Sequence, residues 1–264
     1  MDFLREVISS LTPSREEYSR IDSILALLKS RIKINSAIVE LGGSASKDTW
    51  LKGNHDIDVY VKFNIRKYKD KDISKLLGNE LKKHFKLRKL HGSRDYYQIE
   101  KDNYTIEIIP IIDINHVNES LNITDISPFH CKYVKKYSKS KEIRLAKSFC
   151  KTSGCYGAES YISGFSGYAL EILTIHYGSF LNLVRNIAKW QQHTQIGNKK
   201  FIKKLNLSKT TGPLILLDPV DNNRNAAAAL SNEKYNKFIK TCNDLLKKPS
   251  KEFFIEKVFD ETSF

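Results

Sequence analysis

The chain has few of the residues that cross-link a fold or carry it through a membrane. Four cysteines in 264 residues are too few for a disulfide framework, so a reduced, intracellular, cytoplasmic protein is expected. Long apolar runs are missing. Stretches such as residues 214–217 fall far short of the ~20 residues that span a bilayer, so no membrane partner is expected. Met1 leads straight into Asp2 with no apolar run and cleavage site behind it, which argues against a secretory signal. There is no internal repeat and no low-complexity linker. Acidic residues are in deficit, with 30 Asp+Glu against 44 Lys+Arg, a net charge of +14 and a pI near 9.4. That balance favours polyanionic partners: nucleic acid, nucleotides or an anionic surface. Arginine is scarce too, ten of the 44 basic residues, which suits phosphate contacts better than bidentate base reading. What is present is a core. Hydrophobic residues make up 41%, too many for a disordered chain, and the length fits one large domain or two modest ones.

Local patterns divide the chain by texture. Ser14 and Glu17 have capping-box spacing, and Tyr18, Ile21, Ile24, Leu25, Leu28 and Ile32 follow at helical intervals. Residues 37–41 form a short β-branched run that stops at Gly42-Gly43, the pattern of a strand entering a tight turn. Residues 56–63 alternate as a strand, and residues 69–85 carry helical periodicity through Ile73, Leu76, Leu77 and Leu81. Residues 96–100 and 104–112 predict a hairpin turned at Asp102-Asn103. After about Asn115 helical runs take over, at 129–137, 142–151, 168–175, 180–190 and 232–246, with a short strand at 214–217 and lysines crowded over 199–209. The expectation is an α+β chain: an N-terminal domain over 1–125 with a mixed sheet, then a mostly helical domain over 126–264.

The densest chemistry lies between Gly42 and Val59. Asp56 and Asp58, two apart on a strand, face the same way. Two carboxylates there make a hard-oxygen site suited to Mg²⁺, and without a cation they repel. Upstream, glycines let backbone approach a ligand closely, and turn N–H groups can hold a phosphate. Ser44 adds a hydroxyl. A two-metal site needs more oxygens than two carboxylates give, and the next strand offers Glu107, flanked by apolar residues, with Asp113 competing in the same run. His130-Cys131 and the Cys150/Cys155 spacing have no matched second pair and make no zinc set.

The stretch from Gly43-Ser44 to Asp56-Ile57-Asp58-Val59 resembles the polymerase-β-type nucleotidyltransferase motif, and the chain to about Phe254 resembles the archaeal-type (class I) CCA-adding tRNA nucleotidyltransferases. The resemblance rests on ordered segments. These are Thr49-Trp50-Leu51-Lys52-Gly53, Ser127-Pro128-Phe129-His130, Lys147 with Gly154 to Glu159, Gly164-Phe165-Ser166-Gly167-Tyr168, Tyr177-Gly178-Ser179-Phe180, and Asp218-Pro219-Val220-Asp221 with Arg224-Asn225. It implies a polymerase-β-like domain with a helical central domain. It implies Asp56, Asp58 and Glu107 as catalytic ligands of two Mg²⁺ ions. It implies Gly43 and Ser44 on the triphosphate, Ser127, His130, Lys147 and Tyr156 lining the nucleotide pocket, and Arg224 selecting the base. The implied reaction adds C and A from CTP and ATP to a tRNA 3′ end held by its acceptor stem. A synthase of oligoadenylate or cyclic-dinucleotide messengers and a non-catalytic RNA-binding relative are the competing readings.

Three departures stand out. The family's third carboxylate is normally Asp, and here it is Glu107. Arg94-Asp95-Tyr96 replaces a usual His-Pro-Tyr. The family's C-terminal tail domain has no counterpart after the matched region, so a tail-less form is expected.

Overall fold

The computed structural model describes residues 2–255. The chain forms two compact units, one of Pro13–Lys136 and one of residues 2–12 with 137–255. The division therefore falls near the end of α6 (Ser127–Tyr137), about three helical turns beyond the expected 125/126 border, and the first segment joins the C-terminal unit. Helix α1 (Phe3–Leu11) puts Leu4 and Val7 into that unit's core.

In the other unit, α2 (Arg15–Arg31) starts at the expected capping box. Glu17 N–H donates to Ser14 Oγ at 3.2 Å, and Ser14 N–H donates to the Glu17 carboxylate at 2.7 Å. Then come β1 (Ala37–Leu41), the single turn α3 (Gly43–Ser46), β2 (Asp56–Asn64), α4 (Ile65–Tyr68) and α5 (Ile73–Leu81). The one helix expected over 69–85 is shorter because the Asp72 side chain caps Lys75 N–H and sets a new start. Strands β3 (Arg88–Leu90), β4 (Tyr96–Lys101) and β5 (Tyr104–Asp113) complete the sheet, and α6 (Ser127–Tyr137) ends the unit. Asp102 and Asn103, with φ of 52° and 65°, make the β4–β5 turn, as an Asp-Asn pair tolerates.

The sheet is mixed, in the order β1-β2-β5-β4-β3. Only β2 and β5 are parallel. One face is apolar: Ile57, Val59, Val61 and Phe63 of β2 and Ile106, Ile108 and Ile112 of β5 pack with Ile24 and Leu28 of α2 and Leu77 and Leu81 of α5. The opposite face carries Asp56, Asp58 and Tyr60 on β2 and Glu107, Ile109 and Ile111 on β5, by the period-two alternation of strands.

The second unit is helical: α1, α7 (Ser140–Thr152), α8 (Gly167–Tyr177), α9 (Phe180–Ile187) and α11 (Asn232–Lys247) share one core. Residues 143–150 of α7 are all buried, so it runs through the middle. Between α9 and α11 lie β6 (Thr194–Ile196), α10 (Lys199–Ile202) and β7 (Leu214–Leu216), the two strands forming a parallel pair. Among the described residues no helix is long and apolar enough to cross a membrane.

Candidate active site

The parallel pairing of β2 with β5 sets the register Asp56↔Thr105 and Asp58↔Glu107. Registered partners project to the same face, so Asp56, Asp58 and Glu107 share one side of the sheet. Glu107 is pushed up to about 7, first by burial, then by the charge of Asp58 and of Asp56. Asp113, the rival third acid, lies at the far end of β5 opposite Asn64 and pairs with Lys62 at 2.9 Å. The carboxylates share a face without closing into a ready cage: among the described residues no group of three or more His, Cys, Asp or Glu is gathered at ligand spacing. The donor set, hard oxygens whose charges oppose one another, fits a divalent cation that would relieve their repulsion.

The glycine turn is built around Asp58. Gly42 N–H donates to the Asp58 carbonyl at 2.7 Å. Gly43 has φ +49°, and a Cβ there would lie 1.6 Å from Asp58 Oδ2. Only glycine satisfies both conditions. Gly43 N–H donates to the Tyr60 hydroxyl at 3.3 Å. The Tyr60 ring fills the space where a Cβ of Gly42 would stand, 2.6 Å from its Cζ. Ser44 follows, half-buried, in a first turn whose N–H groups have no intrahelical acceptor. Burial first, then the charges of Cys131 and Asp58, raise the Tyr60 phenol, which also hydrogen-bonds Ser127 at the start of α6. One turn on, Cys131 packs on Tyr60, and His130 beside it is half-buried. Tyr60 is thus a link between the glycine turn and α6 that sequence reasoning missed, because in the alternation it reads as one more strand residue. Tyr96, in sequence terms a strand start and part of the departure from His-Pro-Tyr, is a second such residue. It is half-buried on the same face, and its phenol is raised by burial, then by Glu107 and Asp58. Arg94, its neighbour, forms an ion pair with the fully buried Asp125, whose carboxylate also accepts Ile112, Leu121 and Asn122 N–H. Arg94 thus ties its segment to Asp125 and, at 3.1 Å, to the Pro110 carbonyl of β5.

The remaining pocket residues belong to the helical unit. Lys147, 3% exposed, pairs with the fully buried Glu171 at 2.7 Å. Tyr156 meets it over Gly167, where a Cβ would lie 2.8 Å from the Tyr156 hydroxyl and 3.6 Å from Lys147 Cε. The next residue, Tyr168, donates to Asp218 at 2.9 Å. Asp218, also fully buried, accepts Arg224 Nη1 at 2.9 Å, and the guanidinium lies 5.8 Å over the Tyr168 ring. Tyr168 is half-buried and orients Arg224, while Phe165 is core. The predicted pocket residues thus form two sets, one in each unit.

The fold around the carboxylates is that of a polymerase-β-like nucleotidyltransferase domain. Residues 21–139 match the family model described as nucleotidyltransferase domain, and residues 141–255 match tRNA nucleotidyltransferase, second domain. The chain is 41% identical over 261 residues to the CCA-adding enzyme of Nanoarchaeum equitans, covering 92% of this chain and 65% of that one. It is 35% identical over 271 residues to that of Pyrobaculum aerophilum, covering 96% and 63%. Among solved structures, the Cid1 poly(U) polymerase bound to MgATP superposes with a TM-score of 0.78 at 15% identity, covering 97% of this chain and 98% of that one. CdnC, in its E. coli MS115-1 complex with HORMA, does so with a TM-score of 0.64 at 13%, covering 94% and 91%. The last two are likenesses of fold. The chain belongs to the tRNA nucleotidyltransferase family of the archaeal CCA-adding enzymes. It spans somewhat less than two thirds of the length of these curated relatives.

Proposed function

We propose that the chain adds C and A from CTP and ATP to the 3′ end of tRNA in the cytoplasm, taking the acceptor stem as its RNA. The observation that carries this reading is the register of Asp58 with Glu107 beside a glycine turn pressed onto the Asp58 carboxylate. Asp56, Asp58 and Glu107 are the ligands for two Mg²⁺ ions, which when bound lower the pKa of the attacking 3′-hydroxyl and offset charge on the triphosphate. The chain's own groups do the rest. Gly43 and Ser44 take phosphate oxygens, with Tyr60 and Ser127 holding the turn in place. Tyr96 walls the carboxylates from the β4 side and raises the cost of leaving them uncompensated. His130, Lys147 and Tyr156 line the nucleotide pocket, and the Lys147 ammonium offsets phosphate charge where it develops. Arg224, fixed by Asp218 and Tyr168, presents its free edge to a base, where its donors choose among acceptors.

The test is incorporation of labelled CTP and ATP into tRNA that ends at the discriminator base. Wild type extends it, and Asp56→Ala with Asp58→Ala does not. Extension by that double variant would refute the ligand assignment. Oligomers made from nucleotides alone, without RNA, would favour the messenger-synthase reading. RNA binding without any incorporation would favour the non-catalytic one.

A further inference from the structure

Between Glu171 and Asp218 the sequence holds no acidic residue, yet it holds Lys189, Lys199, Lys200, Lys203, Lys204 and Lys209. Ile202 seats α10 on Ile215 and Leu217, with Phe201 and Leu205 packed beside them. That packing leaves Lys199, Lys200, Lys203 and Lys204 exposed. Among the described residues none of these four has a carboxylate partner. Four ammonium groups crowded without counter-charge repel one another and draw in a polyanion.

The lobe is tied to the turn that carries Arg224. Lys209 Nζ donates to the Asn223 carbonyl at 2.7 Å, and the Lys209 carbonyl accepts from Asn225 Nδ2 at 2.9 Å. The Asn225 carboxamide oxygen accepts Leu216 and Ala227 N–H, which pins the turn against β7. A second feature borders the same segment. Tyr161 is 85% exposed, on a loop closed by its own backbone hydrogen bonds. Ile162 and Ser163 N–H both donate to the Glu159 carbonyl, Gly157 N–H donates to Phe165 and Gly164 N–H to Gly157. The Ser163 carbonyl in turn accepts Ser231 N–H at 2.9 Å. Segment 224–231 thus begins at the lysine lobe and ends at the tyrosine loop. A large aromatic ring that a hydrogen-bonded loop holds out in water has a π-face open to stacking.

We propose that this edge docks a single-stranded RNA 3′ segment, with Lys199, Lys200, Lys203 and Lys204 taking backbone phosphates and Tyr161 stacking on an unpaired base. The proposal deepens the reading given above by naming the surface that holds the RNA end beside Arg224. A lipid surface fits less well, because binding there calls for a continuous apolar helix face, and α10 is one turn long.

The experiment measures binding of a fluorescent RNA hairpin with a single-stranded 3′ end, without nucleotide, from about 50 to 200 mM salt. Replacing the four lysines by alanine is expected to flatten the slope of log K against log [salt] by about 3, at ~0.7–0.9 per phosphate contact. Tyr161→Ala is expected to weaken binding about tenfold at every salt concentration, while Tyr161→Phe binds as wild type. All five side chains are exposed, so the fold is not at stake. An unchanged slope, undiminished binding by Tyr161→Ala, or equal competition by anionic phospholipid vesicles overturns the proposal. The two readings fail separately. A chain that extends tRNA yet shows an unchanged slope loses the dock and keeps the activity. A chain that shows the flattened slope yet extends nothing loses the activity and keeps the dock.

Discussion

Asp58 and Glu107 stand at one register on neighbouring parallel strands, so two carboxylates that repel are held on the same face by backbone pairing. The sheet, not the acids, sets their proximity, and the consequences can be measured.

Replacing Glu107 by alanine should lower CTP incorporation at least about 10²-fold, the scale expected when a positioned group is lost. Asp113→Ala should leave turnover near wild type, because Asp113 serves an ion pair with Lys62 at the far end of β5. Steady-state rates of the two variants check this. The reverse ranking would move the third ligand to Asp113.

Without metal, stability should fall as pH rises from about 4.5 to 7. The folded Glu107 carboxyl titrates near 7 and the unfolded one near its ordinary value, so the folded chain holds the extra proton in that window. Below it both states are protonated and nothing is lost. Above it the full penalty stands, about 1–2 kcal/mol after allowance for partial solvent screening. Thermal melts with EDTA should show this slope, Glu107→Gln should remove it, and Mg²⁺ should restore stability at neutral pH.

Gly43→Ala should cost about 1 kcal/mol for the left-handed backbone, plus the displacement of Asp58 that a 1.6 Å approach forces. Melting should drop by at least about 2–4 °C, and incorporation should fall with it. Full activity at normal Tm would mean that the turn has another conformation.

Lys147→Met should destabilise by about 3–5 kcal/mol, because the buried Glu171 carboxylate loses its Lys147 partner. Adding Glu171→Leu should recover much of that loss while activity stays low. Denaturant titration of the single and double variants checks the coupling.

Much of the site was legible because short-range rules governed it. The Ser14/Glu17 box, the Asp102-Asn103 turn and the Asp56/Asp58 face all follow from spacing. Glu107 against Asp113 was not decidable that way: they lie six residues apart on one strand, so alternation puts both on the same face and only pairing with β2 separates them. The roles of Tyr60 and Tyr168 depend on Gly43 and Asp218, each remote in sequence. Helix α1 escaped notice for a similar reason, since the partners of Leu4 and Val7 lie more than a hundred residues away.

That last placement has a consequence for how the chain is made. Phe3, Leu4 and Val7 leave the ribosome well before the helices they complete, α7 to α11. At roughly 5–20 residues per second, the opening helix waits on the order of ten seconds or more for its partners. The sheet unit in between can close during that interval. Topologically it is an insertion into the helical unit, entered through Thr12-Pro13 and left through α6. The apolar face of α1 thus stays uncovered until α11 has been made.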